Sequence, residues 1–379
     1  MIYLDYSATT PVDESVLNSY IKVTQDFMGN ANSLHNLGVK SKELLLNATN
    51  QIAEILEVKR NELIFTSGSS ESNATALKGI AFKYENRGKH IISSYLEHKS
   101  VLETLDYLKT KGFEINYVKL DENGVVDLND LENLVREDTI LVSICAVNSE
   151  VGFRQPLKAI KQVISRKNPR TFFHSYMTQA LWKEKFNLSD VDLASFASHK
   201  IYSPKGIGIL YKKENIEIEP LIYGLTDNTP FRGGTPALPL IAAFAKGIRL
   251  IYENLDDNIR KVDEYNKKLT SFLSNYDIRI NSNKNCVPHI LNISLINIKS
   301  ETFLRAMEKD GVCLSTNTAC SSGQESEILK YLTNDKDIST TTIRISLSHL
   351  TTEGEIEEFM RIFDRVYNSL LKRRIWDWY

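Results

Sequence analysis

Between about residue 38 and residue 212 the apolar residues switch repeatedly between helical and strand periods. This alternation admits few architectures. Strand-like runs are predicted at 62–65, 90–94, 115–118, 139–146, 171–174, 193–196 and 206–211, with helical spacing over 43–56 and 74–84. Strands separated by helices imply a mostly parallel sheet covered on both faces. Such sheets hold ligands at the carboxyl ends of their strands. The segments TSGSSES (66–72), NSE (148–150) and SHK (198–200) fall there. From 238 one long helical pattern is predicted through about 273. A smaller unit then follows: a strand over 289–294, a helix over 301–309, a strand over 342–347 and a last helix from 353. At 379 residues the chain is longer than one ordinary core. The expected class is α/β, with a large domain over 12–255 and a small α+β domain formed by 1–11 and 256–379.

Three local features carry chemistry. In SHKIYSPKGIG, Lys200 ends an apolar strand before a Pro/Gly-rich turn. An amine desolvated in this way deprotonates more readily and forms a Schiff base with an aldehyde; the alternative is an ordinary solvated lysine. In TSGSSES, small residues between a strand and a helix let N–H groups and hydroxyls surround a phosphate. An ordinary helix cap, Ser69 or Ser70 followed by Glu71, is the competing account. The third feature is Cys320, in the polar, small-residue segment STNTACSSGQES, where a thiol is expected to be exposed and mobile.

The other three cysteines are Cys145, Cys286 and Cys313. The four show no paired spacing and no metal-ligand spacing with the seven histidines, so neither a metal nor a disulfide is expected. Cys145 and Cys313 lie in apolar runs and are expected to be buried. A formal charge of −2 gives no reason to expect nucleic-acid or membrane binding. No apolar run nears the ~20 residues that span a bilayer, and residues 1–15 lack a signal-peptide pattern. A cytoplasmic location is expected.

In order along the chain stand YLDYSATTPVD, TSGSSESNATALKG, EHKSVLET, VNSEVG, HKIYSPKGIG, RGGT, TACSS and IRISLS. Together these blocks resemble the successive motifs of the cysteine desulfurases, pyridoxal-phosphate (PLP) enzymes of the class V aminotransferase type, from Tyr3 to about Thr352. The large domain is then the PLP-binding one. The resemblance implies that Lys200 is the Schiff-base lysine and moves a proton at the substrate α-carbon. His98 stacks on the pyridine ring and serves in acid–base steps, and Gln179 lies near the cofactor's phenolic oxygen. Ser69, Ser70, Ser198 and His199 line the phosphate pocket. Thr235 reaches the phosphate of a neighbouring subunit, which implies a homodimer. Arg344 holds the substrate carboxylate, with Asn148 beside it; a planar guanidinium suits that role. Cys320 attacks the sulfur of L-cysteine, leaving alanine and a persulfide. A thiolate is the reactive form.

Some positions depart from the pattern. In the family's H-x-D-x-x-Q segment the carboxylate pairs with the pyridine nitrogen; here it reads HSYMTQ, with Tyr176 in the aspartate's place. A phenol with a pKa of about 10 is neutral and does not hold that proton by charge. Ser149 stands where a second asparagine is usual, Ala197 where a phosphate-binding serine often lies, and YGLTDNTPF replaces a glycine-rich segment. The Cys320 loop is slightly shorter than in relatives with a long mobile loop, the group it still resembles.

The resulting expectation is a desulfurase feeding a protein sulfur acceptor: an iron–sulfur scaffold, a tRNA-thiolation enzyme or a DNA-phosphorothioation protein. The alternatives are a catalytically weakened scaffold or partner protein, or a related PLP lyase acting on another amino acid. Cys320 argues against simple elimination, which needs no protein thiol. The tail LLKRRIWDWY is expected to pack Ile375, Trp376 and Trp378 on the small domain.

Overall fold

The computed structural model describes residues 1–224, 230–316 and 325–376, with side chains as far as 372. The expectations for Cys320, for much of the altered 223–231 segment and for the tail residues Ile375, Trp376 and Trp378 lie outside the described side chains. The strands are β1 (Ile2–Tyr3), β2 (Leu63–Thr66), β3 (His90–Ser93), β4 (Glu114–Tyr117), β5 (Thr139–Ser143), β6 (Phe172–Tyr176), β7 (Leu193–Ala197), β8 (Gly208–Lys212), β9 (Arg279–Ile280), β10 (Ile290–Ser294), β11 (Val312–Cys313) and β12 (Thr342–Ser346). The helices are α1 (Glu14–Asp26), α2 (Asn36–Ile55), α3 (Ser69–Lys83), α4 (Lys99–Thr110), α5 (Leu128–Leu134), α6 (Leu157–Lys167), α7 (Leu238–Glu253), α8 (Leu255–Leu273), α9 (Ser300–Lys309), α10 (Glu327–Thr333), α11 (Lys336–Thr340) and α12 (Glu353–Trp376).

A seven-stranded sheet runs in the order β2-β8-β7-β6-β5-β3-β4. Only β8 opposes the others, being antiparallel to both β7 and β2. Neighbouring residues on each strand face opposite layers, as the two-residue strand period requires. Ile91 and Leu141 pack with Leu77 and Ile80 of α3 and Leu105 of α4. Ile92, Val142 and Phe173 pack on the other side with Ile52 of α2, Ile160 of α6 and Phe244 of α7. Burying each such side chain is worth about 1.5–3 kcal/mol, which is why the strands read as near-continuous apolar runs. A third cluster joins Ile2 and Leu4 to α8, β10, α9, β12 and α12. There β12, β10 and β9 form an antiparallel sheet, and β1 pairs in parallel with β11.

Several expectations change. The long helix after 238 is two helices, broken at Asn254. Its backbone leaves the helical region (φ −125°, ψ 19°) while its side chain bonds back to the Leu250 carbonyl, 3.4 Å away; asparagine competes with a helix in this manner. Helix α3 begins at Ser69, five residues before the predicted start, because its first turn is small and polar rather than apolar. Cys145 is buried, as expected, but Cys313 is only half-buried, because its strand β11 has two residues and a single partner. No helix among the described residues is long and apolar enough to cross a membrane.

Candidate active site

The carboxyl ends of β2, β3, β5, β6 and β7 converge, and each delivers one of the expected blocks. After β2 the chain passes Gly68 and enters α3. By helix geometry its first N–H groups, those of Ser69 to Glu71, point out of the helix end with no carbonyl four residues back. Ser69 is buried and Ser70 exposed at this end. The loop is held by backbone contact: a Cβ at Gly208 on β8 would lie 2.6 Å from the Gly68 carbonyl carbon, so only glycine fits. Glu71 receives the Ser67 N–H at 2.7 Å and pairs with Arg232 at 3.0 Å, tying the RGGT turn to the helix start. Thr235 of that turn is exposed.

After β7, Ser198, His199 and Lys200 form a single tight turn. Ser198 donates to the Pro204 carbonyl, and Lys200 is 8% exposed. The His199 carbonyl accepts the Thr10 N–H at 2.9 Å, and its Nδ1 lies 3.2 Å from Thr9 Oγ1. Burial, then the charges of Lys200 and Lys205, hold the His199 imidazole down at about 4.

His98 caps α4 through Nδ1, which accepts the Ser100 N–H at 3.1 Å. An accepting Nδ1 carries no proton, so the neutral ring has its N–H on Nε2. Burial, followed by Lys200 and His199, lowers its pKa to about 4, keeping it neutral. Facing it is Tyr176, 2% exposed at the end of β6, with ring centroids 5.2 Å apart and planes 29° apart. His174 fixes the register of β6 through contacts of 2.9 Å to Ser143 Oγ and Ser195 Oγ.

Gln179 is fully buried and donates to the Ser7 carbonyl at 3.0 Å. Its carbonyl oxygen accepts from Lys183 Nζ, which also donates to Ser7 Oγ at 3.1 Å. Lys183 is fully buried, and burial followed by Lys200 and Arg344 pushes its amine well below the usual range.

Arg344, on β12 and 1% exposed, donates to Asp5 Oδ1 and to the Ser149 carbonyl, both at 2.8 Å. Its Nε is buried without a hydrogen-bond partner, the arrangement expected of a guanidinium reserved for an incoming carboxylate. Its backbone exchanges hydrogen bonds with Ser315, from which the chain runs on toward Cys320. Asn148 braces the turn after β5: its amide donates to the Leu96 carbonyl and accepts from Glu150 and Val151.

Two buried carboxyls complete the surroundings. Burial raises Glu97, which receives Cys145 N–H at 2.6 Å, to about 8. It raises Glu150, against the opposing pull of Ser326 and Arg344, to about 7. No cluster of metal-binding side chains is found among the described residues.

These residues fit pyridoxal phosphate at two of its ends. The helix start at Ser69–Ser70 with the Ser198–His199 turn suits a phosphate. Lys200 offers a buried amine for the aldehyde. At the ring end the Tyr176 phenol lies against the His98 face.

The fold and this lysine-bearing pocket define the class. The chain matches the model of the class-V aminotransferases over residues 2–359 and belongs to that family, whose members depend on pyridoxal phosphate. It is 37% identical to the protein named cysteine desulfurase IscS of Buchnera aphidicola, covering 97% of this chain and 93% of that one. Among solved structures, a NifS-like protein superposes with a TM-score of 0.92 at 35% identity, over 97% of this chain and 99% of the other. The structure of SspA in complex with cysteine gives a TM-score of 0.82 at 30% identity, over 93% of this chain and 100% of the other.

Sequence reasoning missed Asp5, Ser7, Lys183, Glu97 and Glu150. A signal for the first two was present, because YLDYSATTPVD is one of the eight blocks; it wraps across the pocket and touches Arg344, Gln179, Lys183 and His199. Lys183 follows Gln179 by four residues, a spacing that brings two side chains together on a helical turn.

Proposed function

We propose that this chain is a PLP-dependent cysteine desulfurase, releasing L-alanine and leaving a persulfide on Cys320 for a protein sulfur acceptor. One observation carries the reading: Arg344, buried with a spare Nε, is bonded through its backbone to Ser315, at the root of the segment bearing Cys320. The group that would hold a substrate carboxylate is thus anchored to the loop bearing the thiol. The cysteine held by the similar SspA supports that amino acid as substrate.

When bound, pyridoxal phosphate supplies an electrophilic carbonyl and a sink for electron density from the substrate's α-carbon. The protein supplies the rest. The Ser69–Ser70 helix start and the Ser198–His199 turn would hold the phosphate. Lys200 would bind the aldehyde carbon and carry the α-proton. Arg344 orients the carboxylate, and neutral His98 offers its Nε2–H to the pocket. Cys320, as thiolate, takes the sulfur. The substrate's C–S bond breaks, an S–S bond forms on Cys320, and the carbon keeps the electron pair and gains a proton. The balance needs no outside reductant. Thr235, exposed on the turn beside Arg232, is read as reaching a second copy's site in a homodimer. A division into 12–255 and 1–11 with 256–379, and a cytoplasmic location, belong to the same reading. Ser149, Asn148 and Gln179 serve as its supporting residues.

The test is to give the purified protein PLP, L-cysteine and a thiol acceptor and to measure alanine and protein-bound persulfide. Alanine release that disappears in Cys320→Ser is expected. No alanine under any of these conditions removes the reading. A second reading, a desulfurase-like partner protein with little turnover, draws on the Tyr176 ring lying against His98.

A further inference from the structure

Tyr176 stands where the desulfurases carry a carboxylate, and the buried acid beside His98 is held elsewhere: Glu97 accepts the Cys145 N–H at 2.6 Å and the Ser94 hydroxyl at 2.9 Å. Downstream in sequence, Glu184 pairs with Arg154 at 3.2 Å, and Asp192 is also committed: it accepts the Phe173 N–H at 2.9 Å, pairs with Lys213 at 3.0 Å and pairs with Lys161. The register of β6 is pinned by His174, so a slip along the strand does not bring an acid into the site either.

The phenol ring has a place of its own. It lies against His98 with centroids 5.2 Å apart and planes within 29°. Stacked carbon surfaces sit about 3.5–4 Å apart, so a third ring slipped between two others needs their centroids about 7 Å apart. The His98–Tyr176 pair is too close for that. A pyridine ring laid flat on the same face of His98 would meet the phenol edge instead. Tyr176 is also 2% exposed and packs in the apolar cluster with Ile64, Cys145 and Leu210, so moving it disrupts a buried contact. The phosphate end, made mainly of backbone at 68–70 and 198–200, shares no such obstruction.

We propose that the Tyr176 ring competes with the cofactor's ring for the face of His98, and thereby sets the affinity of this site for pyridoxal phosphate. The inference rests on the desulfurase reading of the pocket and deepens it. The phosphate end captures its ligand unhindered; seating the ring requires the phenol to rotate away. A site whose competent form is a minor population binds with an apparent affinity reduced by that fraction. The ring causes the effect, and the hydroxyl does not.

The test is a titration of the full-length protein, stripped of cofactor, with pyridoxal phosphate. It follows the Lys200-dependent visible band and the protein fluorescence in the wild type, Tyr176→Ala, Tyr176→Asp, Tyr176→Phe and Lys200→Ala. Inorganic phosphate serves as a competitor, and thermal melts check folding. Tyr176→Ala and Tyr176→Asp are expected to bind at least about tenfold more tightly than the wild type. Tyr176→Phe, which keeps the ring, stays close to the wild type, and phosphate binds all four Lys200-containing proteins alike. A general packing defect would shift phosphate binding as well. If Tyr176→Ala is no tighter than the wild type, or Tyr176→Phe binds as tightly as Tyr176→Ala, the competition is refuted. If no protein develops a Lys200-dependent band, the cofactor reading of the pocket itself falls, and this inference with it.

Discussion

The two ends of the pocket are built from different materials. The phosphate end is largely backbone: the start of α3 after Gly68, and the turn after β7. The ring end is side chain: His98 at the start of α4, and Tyr176, Gln179 and Lys183 at the end of β6 and in the turn after it. Backbone donors survive the replacement of the side chains around them. Ala197, where a serine often lies, therefore leaves the cradle in place. A contact made by one side chain has no such reserve, and Tyr176 changes what the ring end offers. Within one site, substitutions of similar sequence distance have very different chemical weight.

The largest effect expected is at the one residue both ends depend on. Lys200→Ala should reduce alanine formation about a thousandfold or more, measured as alanine released per enzyme. A smaller loss would mean that buried Lys183 substitutes for it.

Next is Arg344→Lys, which keeps a charge but loses the fork and the spare Nε. The KM for L-cysteine should rise roughly 10–100-fold with a smaller change in kcat, as befits one charge-assisted contact. A melting curve separates this from loss of the Asp5 pair.

The ring end also contains a buried proton. Glu97, raised to about 8, is protonated when folded and ionised when unfolded over the range above its ordinary 4.5. The folded chain therefore binds the extra proton, and stability falls as pH rises toward 8. Glu150 and Glu184, raised to about 7, act in the same direction over a narrower range. The depressed histidines His98 and His199 act oppositely, but only below their ordinary 6.5. The Glu97 proton by itself gives a slope of about −1 kcal/mol in unfolding free energy between pH 7 and 8, where it is being released, and buried Lys183, whose lowered amine binds its proton only on unfolding, opposes it. Glu97→Gln, followed by denaturant titration, should flatten that slope.

The smallest effect belongs to the backbone end. Ser70→Ala removes one hydroxyl from a cradle of N–H groups and should weaken PLP binding only about threefold to tenfold. A loss larger in size than the roughly tenfold gain expected of Tyr176→Ala would invert the contrast between the two ends.

Much of the architecture was legible because buried parallel strands write continuous apolar runs between helical stretches. The placement of TSGSSES, NSE and SHK at the strand ends followed from that pattern. Their order along the chain, with the lysine, arginine and cysteine blocks, carried the resemblance. The break at Asn254 was not legible, since apolar spacing continues across it and only local backbone bonding interrupts the helix. The bonds by which Asn148 braces the turn after β5, from its amide to the Leu96 carbonyl and from the Glu150 and Val151 N–H groups to its oxygen, were likewise disclosed by no spacing.

The sequence by itself determined the alternating α/β core, the lysine at a strand end, and the loss of a carboxylate at 176. Each of these is a matter of residue type in a local pattern. Only the tertiary structure decided that the phenol lies over His98, that Lys183 is buried against Gln179, and that Arg344 is bonded to the root of the Cys320 segment. Residue 98 caps the helix after β3 and 176 ends β6, and 315 and 344 come from segments on either side of two helices. Such contacts arise from how the layers close on one another, which a one-dimensional pattern does not encode.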